Sequence, residues 1–343
     1  MSIYTCLEAL RSFSYYCLIK AFFKLIYLIY RINRLIRKTT TFTAINLKIM
    51  KNILTLTMIL LFTGIVYGQQ KLSPLLDFGN VKGTLASVRE NIKSAVTKNN
   101  FNLIGEYQVA GKSNLYVLVF SNNDLIELTT RDEKSGLLAA AFKVALIQDD
   151  NVVNVSTTTP EYTFLGFLRN NYDKHKSLLK KEEQEFINVV KSVTSSPVPF
   201  GGSLSESKLK DYRYMVSMPY FKDFVELATF PSFNEGLKII QANLTAGKGS
   251  TRQVYKLTAP NVAVFGVGLS DQAIGEAHFL PIIGEKHIAA LPYEIFLIDN
   301  KAYILHGRFR FAFYWPDLKM GTFMKIVSTP GDVKNQLKGL TIK

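Results

Sequence analysis

Two stretches of this chain open a helix in the same way, TLASVRENIKSAV from Thr84 and TFPSFNEGLKII from Thr229, 145 positions apart. In each, a short extended run leads into Ser-x-x-Glu, Ser87 with Glu90 and Ser232 with Glu235. That spacing predicts a capping box, in which the serine and the glutamate each satisfy a backbone donor left free at a helix start. The apolar residues that follow, Val88, Ile92, Ala95 and Val96 in the first and Phe233, Leu237, Ile240 and Leu244 in the second, fall on one helical face. The correspondence continues downstream. NLYVLVFSNND from Asn114 matches NVAVFGVGLSD from Asn261, and AAAFKVALIQDD from Ala139 matches AALPYEIFLIDN from Ala289, at offsets of 147 and 150. Offsets that drift slowly in a fixed order are what two copies of one module with small loop insertions would show.

Each copy reads as strand, helix, two strands, a short helical turn and a final hairpin. The hairpin turns are expected at Asp149-Asp150-Asn151 and at Asp299-Asn300, between apolar runs. The expected fold class is therefore α+β: two tandem similar modules, 75–165 and 222–343, each a mainly antiparallel sheet with helices on one face. A helical linker, 166–221, would join them. Within it a charged helix from Asp173 turns Leu178, Leu179, Phe186, Val189, Val190 and Val193 inward, and the breaker-rich TSSPVPFGGSLSES marks a hinge. At the C-terminus Thr329 and Pro330 open a last helix carrying Val333, Leu337 and Leu340 on one face.

The order of elements, with AALPYEIFLIDNKAYIL at 289–305 preceded by VAVFGVGL from Val262, resembles the bacterial family catalogued as domain of unknown function 302. The resemblance spans most of residues 75–160 and 222–315. It departs in the first copy, where Ala141-Phe142 stands in place of Leu-Pro. What it implies is a compact α+β fold, and no reaction comes with it.

The start of the chain bears on where the protein works. MKNILTLTMILLFTGIVYGQQ, from Met50, has the basic, apolar and small-residue layout of an export signal, with cleavage expected after Gly68. The preceding residues 1–49 read as a mis-assigned upstream extension, because Lys20, Lys24, Arg31 and Arg34 interrupt every apolar run. The expectation is an exported protein, periplasmic or secreted, with signal at 50–68 and no stable membrane anchor after cleavage. Removing residues 1–68 leaves 32 basic against 26 acidic side chains, so the net charge falls from +14 to +6. No cationic run interleaved with aromatics remains, which argues against nucleic acid as a partner. Both cysteines, Cys6 and Cys17, precede the signal, so the exported chain would hold no disulfide, thiol nucleophile or thiolate metal site.

Candidate chemistry gathers in the second copy. GEAH at 275–278 and GEKH at 284–287 place Glu276 with His278 and Glu285 with His287 two positions apart. His278, His287 and His306 form a candidate metal set, against the alternative of solvated loop side chains. HGRFRFAFYW alternates as a strand would, with His306, Arg308 and Arg310 on one face and phenylalanines on the other, so a small anion is a candidate ligand for the cationic face. The alternative is a solvated outer sheet face. No nucleophile elbow, phosphate-binding glycine loop or cofactor motif is present, so no cofactor is expected. The sequence points to an exported non-catalytic protein that binds a small anionic ligand or an envelope component through the second module, using His306, Arg308, Arg310, Glu276 and Glu285. A hydrolase or metal-dependent enzyme using His306, Arg308 and Glu276 or Glu285 is the alternative.

Overall fold

Asp149 pairs with Val152 and Ile298 with Lys301, so each hairpin closes through two residues, Asp150-Asn151 and Asp299-Asn300. Asp150 and Asp299 adopt φ of 48° and 52°. Aspartate tolerates that left-handed conformation, which matches the twist of the flanking strands. The first turn is thus one residue shorter than the sequence suggests. The computed structural model describes residues 71–343 together with Tyr27. The extension 1–49 and the export signal 50–68 fall outside this description, Tyr27 apart.

The chain is α+β, and all strand pairs are antiparallel. The first sheet holds β1 (Leu75–Lys82), β2 (Asn102–Gln108), β3 (Leu115–Ser121), β4 (Phe142–Asp149), β5 (Val152–Thr158) and β6 (Val198–Phe200), in the spatial order β2-β3-β4-β5-β1-β6. The second holds β7 (Val225–Thr229), β8 (Thr251–Ala259), β9 (Val262–Leu269), β10 (Tyr293–Ile298) and β11 (Lys301–Ile304), in the order β8-β9-β10-β11-β7. Each sheet therefore returns its first strand to lie beside its fifth. A helix follows the first strand in both, α1 (Leu85–Thr97) and then, in the second sheet, a helix over Phe233–Thr245.

The second helix has its cap where the sequence indicates, Ser232 Oγ accepting from Glu235 N at 3.2 Å, but only half of the expected box forms, since the Glu235 carboxylate pairs with Lys343 instead. The first starts three residues earlier than expected. Gly83, at φ 138°, ends the extended run, and Thr84 becomes the cap: its hydroxyl accepts from Ser87 N (3.2 Å) while Ser87 Oγ accepts from Thr84 N (3.1 Å). Ser87 thus fills the place of the glutamate in the box, and Glu90 pairs on the surface with Arg89 and Lys93. Val88, Ile92 and Val96 are buried as the periodicity requires, whereas Ala95 is only half-buried.

Within the run of first-sheet strands, α2 (Asn123–Thr130) follows β3, and α3 (Pro160–Leu168) and α4 (Tyr172–Ser192) follow β5. The long helix α4 buries Leu179, Phe186 and Val190, with the Phe186 ring among Phe101, Phe120 and Phe142. Leu178, one position away and so about 100° around the helix, is exposed. The stretch read as a hinge contributes β6, which pairs Val198 with Asp77 and Phe200 with Leu75. Two-stranded pairing of Lys71–Leu72 with Leu204–Ser205 ties it down further.

Both sheets belong to one compact unit with one contiguous apolar core. Their edge strands β2 and β8 approach until a Cβ on Gly105 would lie 2.0 Å from the Val254 carbonyl oxygen. Only glycine fits at such a distance, so the contact is written into residue 105. Numbering the helices onward, α5 is Phe233–Thr245, α6 Glu276–Ile283, α7 Gly307–Tyr314 and α8 Thr329–Gly339. Val333, Leu337 and Leu340 are buried, so α8 packs as its sequence face predicts. No helix among the described residues is long and apolar enough to cross a membrane.

Residues 306–315 overturn the strand reading. The last strand stops at Ile304, opposite Val225 where its neighbour β7 begins, and its pairing with β10 ends at Tyr303 with Phe296 although β10 itself runs on to Tyr293. The chain turns into α7, and the alternating phenylalanines serve a helix equally well. Phe309 stacks on Phe313 at 5.5 Å and Phe311 lies 5.6 Å from Trp315, both four apart in sequence. A helix apolar on most of its faces is buried, and α7 is.

Candidate functional site

Helix geometry separates the two arginines that a strand would have aligned. Residues two apart on a helix diverge by about 200°. Arg308 is exposed, and Arg310 is 2% exposed. The Arg310 guanidinium lies 3.8 Å from the Tyr293 ring centre and donates from Nη2 to the carbonyls of Ala290 (2.5 Å) and Pro292 (2.9 Å). Its Nε pairs with Glu294 Oε2 at 3.3 Å, and the other Glu294 oxygen takes Lys143 of the first sheet. Burial works against the Arg310 charge, but Glu294 and the hydroxyls of Tyr293 and Tyr314 hold its pKa above the usual value. Burial, reinforced by Arg310 and only partly offset by Glu294, pushes Lys143 down. Arg310 is therefore a structural cation at the meeting of the two sheets, and it leaves the ligand-binding set.

Glu276 leaves it as well. At 1% exposure its carboxylate accepts from Tyr107 Oη (3.0 Å), Ala110 N (3.0 Å) and Leu269 N (3.3 Å), three donors drawn from both sheets and their loops. Burial raises its pKa to about 7, with the three donors pulling the other way. Glu285 pairs with Lys112, again across the two halves. The pairings with Tyr107, Ala110 and Lys112 were not visible in the sequence, since each of these partners lies more than 160 positions away.

The histidines are dispersed among other duties. His287 stacks on Trp315 (5.5 Å) and meets the Phe200 ring edge-on, with Asp317 Oδ1 3.9 Å away. Burial lowers its pKa. Trp315 is accordingly a buried platform following α7 and not the end of a strand. His278 lies half-buried on α6. His306 caps α7, its Nδ1 accepting from Arg308 N at 3.2 Å. Among the described residues no three His, Cys, Asp or Glu side chains gather as a metal site, so His278, His287 and His306 do not form the expected set.

Two of the predicted residues do meet. His306 and Arg308 line an open groove of about 560 Å³ between the start of α7 and the start of α8, together with Lys334. Among the described residues no carboxylate lines it, and neither Arg308 nor Lys334 has an ion-pair partner. Burial lowers the His306 pKa, as do the nearby charges of Arg308 and Lys334, against Asp223. A neutral imidazole, a guanidinium and an ammonium thus face one space. The backbone donors at the α8 start are already used, Gly331 N and Asp332 N both donating to Ser328 O, so the side chains carry the groove's chemistry. Lys334 was missed because it lies 26 positions beyond Arg308 on a helix read only for its apolar face.

No family model and no curated protein matches the chain. Among solved structures it is similar to the crystal structure of an uncharacterized conserved DUF302 protein from Bacillus stearothermophilus, at 11% identity and a TM-score of 0.30, over 35% of this chain and 95% of that one. A likeness of that size carries no argument about site or activity.

Proposed function

We propose that this is an exported, non-catalytic protein that binds a small anion in the groove of His306, Arg308 and Lys334. The carrying observation is that, among the described residues, two exposed cations without ion-pair partners converge on a space lined by no carboxylate. A guanidinium offers planar bidentate recognition of a carboxylate or phosphate, and an ammonium beside it adds charge. Binding is favoured over hydrolysis because Glu276 and Glu285, the bases such chemistry would need, are held by Tyr107, Ala110 and Leu269 and by Lys112. We also infer that the chain arose from two copies of one module, a reading supported by the shared strand order and by the helix after each first strand.

Native mass spectrometry of protein isolated without added anions tests the binding. Wild type should carry a ligand or take one from a panel of carboxylates and phosphates, and Arg308→Gln with Lys334→Gln should not. Equal binding by both proteins overturns the reading. Export is tested separately by N-terminal sequencing, which should find Gln69 or Gln70 first.

A further inference from the structure

Arg308 borders a second space. On its other side lies an apolar pocket of about 40 Å³ walled by Tyr214, Phe311, Trp315, Met320 and Phe323, among others. One guanidinium therefore stands between a cationic groove and an aromatic, methionine-lined recess.

The surroundings share that character. Tyr214, Met215 and Val216 are exposed at one edge, and Met320, Met324 and Val327 at the other, up to 83% for Val216. Tyr214 and Met320 line the same recess, so the two exposed segments are brought together there. Methionine and aromatic side chains adapt to apolar ligands of varied shape, since the thioether is flexible and polarisable and the rings are rigid. Lys319 and Lys325 are exposed in the second segment, with the exposed carboxylate of Asp317 just before it.

We propose that the ligand is a small amphiphilic anion: a compact carboxylate or phosphate head held by Arg308 and Lys334, with the end of a short alkyl chain in the recess. The proposal rests on the anion-binding reading above and adds the apolar half. The recess volume sets the scale. It admits about one or two carbons of an alkyl chain and neither a ring nor a long acyl chain, because about 40 Å³ is far below the ~150 Å³ of an engineered cavity that takes benzene. Charge fixes which end goes where, for Arg308 is the one charged side chain among the described residues that line the recess.

Calorimetric titration of the purified chain with acetate, butyrate, hexanoate and octanoate, alongside hexyl phosphate, inorganic phosphate and hexanol, tests it. Affinity should rise about tenfold from acetate to butyrate, given about fourfold for each methylene fully removed from water, and should level off by hexanoate because the recess is then full. Hexyl phosphate should exceed inorganic phosphate by a similar factor. Arg308→Gln should weaken hexanoate at least tenfold, and Met320→Ser should weaken hexanoate while leaving inorganic phosphate unchanged. Met320 is half-exposed, so its replacement leaves the fold intact. If acetate and inorganic phosphate bind as well as their alkyl counterparts and are lost in Arg308→Gln, the anion reading stands and the amphiphile is overturned. Binding of hexanol equal to hexanoate overturns the role of the anionic head. Binding confined to vesicles of anionic phospholipid, with none to the soluble anions, overturns the proposal in favour of surface docking. No binding by any probe to protein of native circular dichroism overturns both readings.

Discussion

Tyr107 donates its hydroxyl proton to Glu276 at 3.0 Å, joining the last turn of an edge strand in the first sheet to the helix that follows β9 in the second. The carboxylate is buried, so each protonation state is held by protein alone. Its pKa rises from 4.5 to about 7 in the folded chain. The folded state therefore binds more protons than the unfolded one between those values, and stability falls as pH rises from about 4.5 to about 7. The full span amounts to roughly 3 kcal/mol as an upper figure. Urea unfolding from pH 4.5 to 8 should show this decline. Glu276→Gln should flatten it, at a cost of about 1 to 3 kcal/mol at low pH because the amide turns a donor toward the Ala110 or Tyr107 donor.

Gly105 has no room for a side chain against Val254. Gly105→Ala would set a methyl 2.0 Å from a carbonyl oxygen and 2.9 Å from Tyr255 Cβ, and neither atom is the end of a flexible chain. The edge strands must separate. A loss of about 1 to 3 kcal/mol or more is expected by chemical denaturation, as for overpacked cores. Gly111→Ala, where nothing lies within 4 Å but φ is 69°, should cost only about 1 kcal/mol through backbone strain.

Glu294 sits between two buried cations, so the three members of that cluster are not equivalent. Removing the carboxylate by Glu294→Gln leaves Lys143 and Arg310 buried together, and about 3 to 5 kcal/mol should be lost. Lys143→Met removes the charge that burial already disfavours and leaves the Arg310–Glu294 pair, so it should cost much less. Measured stabilities of the two variants that come out equal would contradict this ordering.

The antiparallel α+β character, the two-residue turn at Asp299-Asn300, the Ser232 cap and the buried faces of α1 and α8 were legible in the sequence, because each depends on residues within a turn or two of one another. The first cap slid to Thr84 because Gly83 redirects the chain, a local conformation that Ser-x-x-Glu does not encode. The segment after Ile304 was misread for a related reason. Phenylalanines at every second position satisfy period two, yet 309 with 313 and 311 with 315 also satisfy a helix, and the periodicity alone does not choose between them. Long-range polar pairing was invisible. Nothing near Glu276 in sequence announces Tyr107, and so a buried tether between sheets looked like a candidate catalytic or binding carboxylate.

His306 offers the last prediction, since its ring serves both the helix and the groove. Nδ1 can accept from Arg308 N only while it carries no proton. Burial and the adjoining cations depress the folded pKa below 6.5, so the folded state binds fewer protons than the unfolded one. That contribution is present above about 6.5 and is lost as pH falls through the depressed value, opposite in sign to Glu276. His306→Ala should remove the cap at a cost of about 0.5 to 2 kcal/mol, whereas His306→Asn restores an acceptor on a good capping residue and should hold stability within about 0.5 kcal/mol while abolishing this acid sensitivity. Thermal unfolding at pH 5 and pH 8 separates the cases. His306→Asn that loses as much stability as His306→Ala would show that packing of the ring against the groove, and not the cap, is what residue 306 contributes.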